Sequence, residues 1–201
     1  MDRTEQIFAL IKPLSQDRFT QSQELIEVYC ENNGDGIAAE FISAFRNAFA
    51  QTADLQIYEE KGAVRYLVLS HLYSAVQAGG YSIRLDTFDQ RFYSDLYEID
   101  ATLTLDWLYG FLAEDMACFR KELVRHIPHV KEYELEQIRY RYVYYYHALA
   151  LKLISESIPA LLRLPEFVKM TTESEFEVLF GGYMDKGVVI WPIKQIPSGT
   201  I

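Results

Sequence analysis

The stretch RYRYVYYYH, residues 139–147, decides the predicted fold because it places five tyrosines and two arginines in nine consecutive positions. It lies within a helical pattern that runs from about residue 131 to 157. At 100° per residue, Tyr142 and Tyr146 fall on one broad apolar face and Tyr144 falls on nearly the opposite one. A helix that is apolar on two sides is normally buried on two sides. We therefore predict that this helix is the central one of a mainly helical fold.

The tyrosine cluster allows two interpretations. A buried phenol needs a hydrogen-bond partner, so the cluster predicts either a packed polar-aromatic core or a ligand pocket lined by hydroxyl groups. In a pocket, an arginine of the cluster would hold an anion or stack on a ring. We favour the core, and the candidate pocket residues are Arg139, Tyr142, Tyr144, Tyr146 and His71.

Four other segments show the apolar spacing of helices. Residues 20–33 and about 35–51 are separated only by a stop signal at Asn33 and Gly34, which predicts an antiparallel helical hairpin. Residues 63–78 are predicted to form a helix that ends at two glycines, and residues 103–125 are predicted to form another. Together with the central helix, these segments indicate about five to seven helices.

Strand signals are confined to three short segments. Residues 81–86 alternate between apolar and polar side chains, and the apolar runs 176–180 and 188–191 are joined by a glycine-rich turn. The predicted fold is mainly α, a helical bundle with a small antiparallel β-sheet formed by the mid-chain strand and the C-terminal hairpin. We expect residues 1–193 to form a single globular domain and residues 194–201 to be a flexible tail.

Composition and charge restrict the class of partner. Half of the 201 residues are hydrophobic and 14% are aromatic, which is enough for a substantial core. The formal net charge of −10 opposes binding to nucleic acid or to an anionic membrane. The N-terminus lacks a signal-peptide pattern and no apolar run approaches a membrane span. We therefore expect a cytoplasmic protein that binds neither nucleic acid nor membrane, with homo-oligomerisation left open.

Motifs for catalysis, metals and cofactors are weak. Glu122, His126 and His129 could ligate a metal, but Pro128 ends the helix between the histidines and the spacing does not fit a His-Glu-x-x-His site. The sequence contains no nucleophile elbow, phosphate-binding loop or dinucleotide-binding fingerprint. We therefore predict no catalytic residue, no metal site and no cofactor.

An acidic-aromatic segment, residues 86–100, offers a site for a macromolecular partner. Aromatic anchors supply affinity in an interface, and surrounding charge supplies steering and specificity. The residues predicted to form this acidic-aromatic surface are Asp89, Phe92, Tyr93, Asp95, Tyr97, Glu98 and Asp100. The surface predicts a protein partner, and a basic one fits the charge.

The sequence thus favours a non-enzymatic cytosolic interaction protein that binds a macromolecular partner through the acidic-aromatic surface. An immunity or inhibitor protein for a basic toxin or nuclease is an example that fits the charge. The alternative is a small-molecule-binding protein or enzyme with a tyrosine-lined pocket in its helical core.

Overall fold

The computed structural model describes residues 2–192, which form five α-helices and one five-stranded mixed sheet. In chain order the elements are α1 (Arg3–Ile57), β1 (Val64–His71), α2 (Tyr73–Ala78), β2 (Ser82–Phe88), a 3₁₀ turn (Phe92–Ser94), β3 (Thr102–Thr104), α3 (Asp106–His126), α4 (Glu132–Leu161), α5 (Pro165–Lys169), β4 (Thr172–Gly182) and β5 (Gly187–Trp191). The prediction of a mainly helical fold is confirmed, with the helix number at its lower limit. The predicted tail, residues 194–201, lies outside the described residues.

The sheet has the order β3-β2-β1-β4-β5 and is mixed, so the predicted antiparallel sheet is wrong. The predicted mid-chain strand and C-terminal hairpin are both present, as β2 and as β4 with β5. They do not pair directly, because β1 lies between them, antiparallel to β2 and parallel to β4. The parallel pair joins positions as distant as Val64 and Thr172.

The predicted helix over residues 63–78 is wrong, since most of that segment is the central strand β1. A strand covered on both faces is apolar at nearly every position, and such a run also contains apolar residues at helical spacing. Leu67 and Leu69 lie on one face of β1 and Val68 lies on the other, and all three are buried. Only the last turn of the predicted helix is helical, as α2, which ends at Gly79 with a φ of 75°.

The predicted helical hairpin over residues 20–51 is also wrong, because α1 is one long helix with a kink at Asn33. Only Asn33 departs from helical geometry, whereas a helical hairpin needs a loop of about two to five residues. The side-chain amides of Asn32 and Asn33 donate to the carbonyls of Val28 and Tyr29 at 2.9 Å, which satisfies two acceptors beside the kink.

The sheet is covered by different layers on its two faces. Helices cover one face, where Thr52 of α1 bonds Thr87 of β2 at 2.9 Å and α4 reaches the end of β1. Aromatic side chains of the 3₁₀ turn cover the other face, where Phe92 and Tyr93 pack against Phe88. The carboxyl end of β1, at His71, lies against His147 of α4, and the end of β4 pairs with it at Gly182.

The middle of α4 is buried over one broad arc, and the predicted second buried face is wrong at Tyr144. Tyr142 and Tyr146 are buried on one face, and His147 is buried beside them toward the sheet. Tyr144 and Tyr145 are about half exposed.

Candidate functional site

Asp115 of α3 binds the hydroxyl groups of Tyr142 and Tyr146, two of the candidate pocket residues. Its fully buried carboxylate accepts hydrogen bonds from Tyr142 at 2.6 Å and Tyr146 at 2.7 Å. From α1, Arg18 forms an ion pair with it at 2.8 Å and Ser22 donates at 3.0 Å. Burial raises the pKa of both phenols, so both stay protonated and donate. These two hydroxyls are therefore part of a polar core that joins α1, α3 and α4.

Two histidines stack at the carboxyl end of β1. The ring centroids of His71 and His147 are 3.9 Å apart, and both residues are buried. Burial and, to a smaller extent, the neighbouring His71 lower the pKa of His147 to about 3. Burial also lowers the pKa of His71, against the opposing charge of Asp185. The hydroxyl of Tyr109 lies 2.7 Å from Nδ1 of His147, so the two groups are hydrogen-bonded.

The histidine pair is closed by aromatic contacts rather than opened to a ligand. Tyr73 packs with its ring edge on His71, and its hydroxyl lies 3.0 Å from that of Tyr144. Both ring nitrogens of His71 are buried without a hydrogen-bond partner among the described residues. Stacking at 3.9 Å leaves no space for a substrate between the two rings. The two histidines therefore pack against each other as neutral rings inside the protein.

The lowered pKa of His147 predicts acid sensitivity. We expect the free energy of unfolding to fall below about pH 6.5, with a slope that reaches about 1.4 kcal/mol per pH unit. The reason is that the unfolded imidazole binds a proton near its ordinary pKa of 6.5, whereas folded His147 stays neutral down to about pH 3. Stability is thus complete above the unfolded pKa and is lost as the pH falls.

Urea unfolding between about pH 7 and pH 5 measures this slope. His147→Phe should flatten it, and the exposed His126→Gln variant, which removes a histidine elsewhere, should leave it unchanged. Equal slopes in the two variants would show that His147 does not cause the acid sensitivity.

Arg139 lies apart from both clusters. It lines a cleft of about 320 Å³ between α3, α4 and the turn after α2, where its aromatic neighbour is Tyr81. The candidate pocket residues therefore occupy separate places, namely the Asp115 cluster, the histidine pair with its aromatic neighbours, and this cleft. They do not line one cavity.

Two carboxylates of the predicted acidic-aromatic surface point inward. Asp95 pairs with Lys61 at 2.6 Å, and neither side chain is exposed to solvent. The same carboxylate accepts the backbone amides of Asp89 at 3.2 Å and Tyr97 at 3.1 Å. Asp89 is also buried and pairs with Arg91. Asp89 and Asp95 therefore hold the segment in place and do not present charge to a partner.

Two aromatic residues of the predicted surface also turn toward the sheet. Phe92 packs on Tyr66 with ring centroids 4.8 Å apart, and Tyr93 packs on Phe88 at 5.1 Å. Both are partly buried, because they pack on the face of the sheet that carries Tyr66 and Phe88. An aromatic residue near an acid therefore does not by itself indicate an exposed anchor.

The rest of the segment is exposed, and its backbone is anchored. Leu96 is 85% exposed, Tyr97 is 42% exposed, and Glu98 and Asp100 also face solvent. The ammonium of Lys61 donates to the carbonyl of Tyr97 at 2.7 Å. At the other end, the side chain of Gln51 in α1 bonds both the carbonyl of Asp100 at 2.7 Å and its amide at 2.9 Å.

Lys61 joins this segment to a second exposed one. It directly follows Tyr58, Glu59 and Glu60, which are all exposed, and the Tyr58 side chain is 74% accessible. We call the two segments together the Leu96 surface; its residues are Tyr58, Glu59, Glu60, Leu96, Tyr97, Glu98 and Asp100. This surface retains only three residues of the predicted acidic-aromatic surface.

The sequence interpretation missed three residues that organise these sites. Asp115 had a signal, since it is an acid on the apolar stripe between Leu112 and Phe119 of a predicted helix. Leu96 had no distinctive signal, because a single leucine between Asp95 and Tyr97 does not show whether its side chain is buried or exposed. Lys61 had no signal, since its burial depends on a contact with Asp95, 34 positions along the chain.

Comparison with known proteins adds no functional information, since no family model, curated protein or solved structure matches the chain. Among residues 2–192, no helix is long and apolar enough to cross a membrane. Nor does this part of the chain bring three His, Cys, Asp or Glu side chains together as metal ligands.

Proposed function

We propose that this protein is an interaction protein, with binding rather than catalysis as its function, and that the Leu96 surface binds a basic protein partner. The observation that carries the proposal is the 85% exposure of Leu96 on a backbone held by Lys61 and Gln51. Ordering a mobile loop on binding costs free energy, and a segment that is already anchored avoids most of that cost. An exposed apolar side chain on such a segment is suited to fill a pocket of a partner.

The charges around Leu96 favour a basic partner. Glu59, Glu60 and Asp100 form no ion pair within the part of the chain that the structure describes. Glu98 forms an ion pair with Arg84, which also pairs with Asp86. Together with the formal net charge of −10, these carboxylates attract a positively charged surface over several ångströms. Inhibition of a basic toxin or nuclease is one function that would use this chemistry.

The alternative of a tyrosine-lined pocket has less support. A substrate would need hydroxyl groups that are free to bind it, but those of Tyr142 and Tyr146 donate to Asp115. The Tyr144 hydroxyl already contacts that of Tyr73. These occupied hydroxyls count against a single catalytic pocket in the helical core.

The surface proposal predicts that Leu96→Asp leaves the fold intact and weakens partner binding by about 30-fold or more, the loss expected for a central interface anchor. A substitution at this exposed position should change the free energy of unfolding by less than about 0.5 kcal/mol. The matched control is Val124→Asp, which adds the same charge at a 65% exposed position on α3.

Immobilised wild type, Leu96→Asp and Val124→Asp are incubated with lysate from the source organism at low salt, and recovered proteins are identified by mass spectrometry. The leading protein is then purified and titrated against all three chains. We expect a basic protein whose affinity falls with salt and with Leu96→Asp but not with Val124→Asp. Equal recovery of every protein by the two variants would overturn the proposal.

A further inference from the structure

Arg139 carries a positive charge that the described residues do not neutralise. No carboxylate forms an ion pair with its guanidinium among residues 2–192, and its Nε is buried without an acceptor. The chain has 29 acidic residues against 19 basic ones, so acids to pair with it are abundant. A buried donor without an acceptor costs free energy, which makes this atom an exception that requires an explanation.

A cleft lies beside this guanidinium. Its volume is about 320 Å³, at the lower end of the range for small-molecule sites. The lining comes from the turn after α2, from α3 and from α4, and comprises Gly79, Tyr81, Ala113, Met116, Ala117, Arg120, Glu132, Leu135 and Arg139. Arg120 and Glu132 pair with each other, so Arg139 supplies the net charge of the cleft.

The apolar wall of the cleft is held in place before any ligand binds. The Tyr81 ring stacks on Tyr109 with centroids 4.6 Å apart and an angle of 11° between the rings. Tyr109 is itself held by its hydrogen bond to His147. Gly79 adopts the left-handed conformation, which turns the chain from α2 toward Tyr81. The small side chain of Ala117 leaves the space in front of this wall open.

We infer that this cleft binds a small organic anion, with an oxyanion head on Arg139 and an apolar body of about the size of an aromatic ring against Tyr81, Met116 and Leu135. A guanidinium binds carboxylate and phosphate oxygens through parallel hydrogen bonds, and the terminal nitrogens of Arg139 are the donors that such a head would engage. The apolar wall excludes water from the body of the ligand. This site is independent of the Leu96 surface.

Calorimetric titration with benzoate and with phenyl phosphate tests the charge of the site and separates the two kinds of head group. Arg139→Gln should weaken binding of the better probe by about 10- to 150-fold, the loss expected for hydrogen bonds to a charged group. The matched control is Arg163→Gln, which removes an exposed arginine outside the cleft and should leave the affinity unchanged. Equal binding by the two variants would overturn the inference.

A second pair of variants tests the cleft itself without removing its charge. Ala117→Phe fills the space in front of Tyr81 from an exposed position and should abolish binding. Ala148→Phe adds the same ring on the face of α4 opposite Arg139, where it should have no effect. Unchanged binding to Ala117→Phe would place the probe elsewhere on the protein.

Fragments of the probe test the two halves of the ligand. Inorganic phosphate supplies only a head and benzyl alcohol only a body, so each should bind more weakly than phenyl phosphate. Phosphate that binds as tightly as phenyl phosphate would contradict the apolar wall. The absence of heat from both complete probes up to about 10 mM would reject the site altogether.

Discussion

Asp115→Ala is expected to lower the free energy of unfolding by about 3 to 5 kcal/mol, because it breaks an ion pair at a fully buried carboxylate and removes the acceptor of two buried hydroxyls. The variant leaves Arg18 beside a cavity with no carboxylate, and it leaves the hydroxyls of Tyr142 and Tyr146 without their acceptor. Three helices meet at this carboxylate, so its loss loosens their packing together. The measurement is urea unfolding at neutral pH, followed by circular dichroism.

Single hydroxyl deletions show how this cost is divided. Tyr142→Phe should cost about 1 to 3 kcal/mol, because the Asp115 carboxylate loses one donor while it stays buried. The control is Tyr145→Phe, which removes a hydroxyl from a ring that is 44% exposed and should cost less than about 0.5 kcal/mol. If Tyr142→Phe and Tyr145→Phe were equally neutral, the Asp115 cluster would not be a stabilising core.

Lys61→Met is expected to cost a similar amount, about 3 to 5 kcal/mol, because it leaves Asp95 charged in a site that water does not reach. Asp95→Leu should be equally damaging, since it removes the acceptor of Lys61 and of the amides of Asp89 and Tyr97. The double variant should recover only part of the loss, because those two amides stay unpaired.

Arg120→Met is the matched control for Lys61→Met. This substitution breaks the ion pair between Arg120 and Glu132, and both side chains are more than half exposed. Such surface pairs contribute about 0 to 1 kcal/mol to the free energy of unfolding. Thermal and urea unfolding of the two variants should therefore differ widely. Similar losses would mean that the Lys61–Asp95 pair is accessible to water and that the segment before the Leu96 surface is not anchored by it.

Several parts of the fold could be predicted because their signals are local. The alternation of β2, the turn between β4 and β5, and the apolar faces of α4 depend on residues a few positions apart. The central strand β1 could not be distinguished from a helix by such local signals. Its side chains are apolar on both faces, and its parallel partner β4 begins at Thr172, far along the chain.

The candidate sites divide in the same way. The sequence alone indicated that buried tyrosines need acceptors, but only the packing of α3 and α1 against α4 selected Asp115 as the acceptor of Tyr142 and Tyr146. Acidic and aromatic composition marked residues 86–100, yet it could not show which acids turn inward.

The burial of Lys61 determines that Asp95 is one of the acids that turn inward. Its ammonium has to be neutralised away from water, so Asp95 turns inward and leaves Leu96 exposed beside it. Local periodicity and composition by themselves determined the class of fold and the polar groups that would need partners. The pairing of distant groups, which depends on how desolvated charges and hydroxyls meet in three dimensions, was decided only by the tertiary structure.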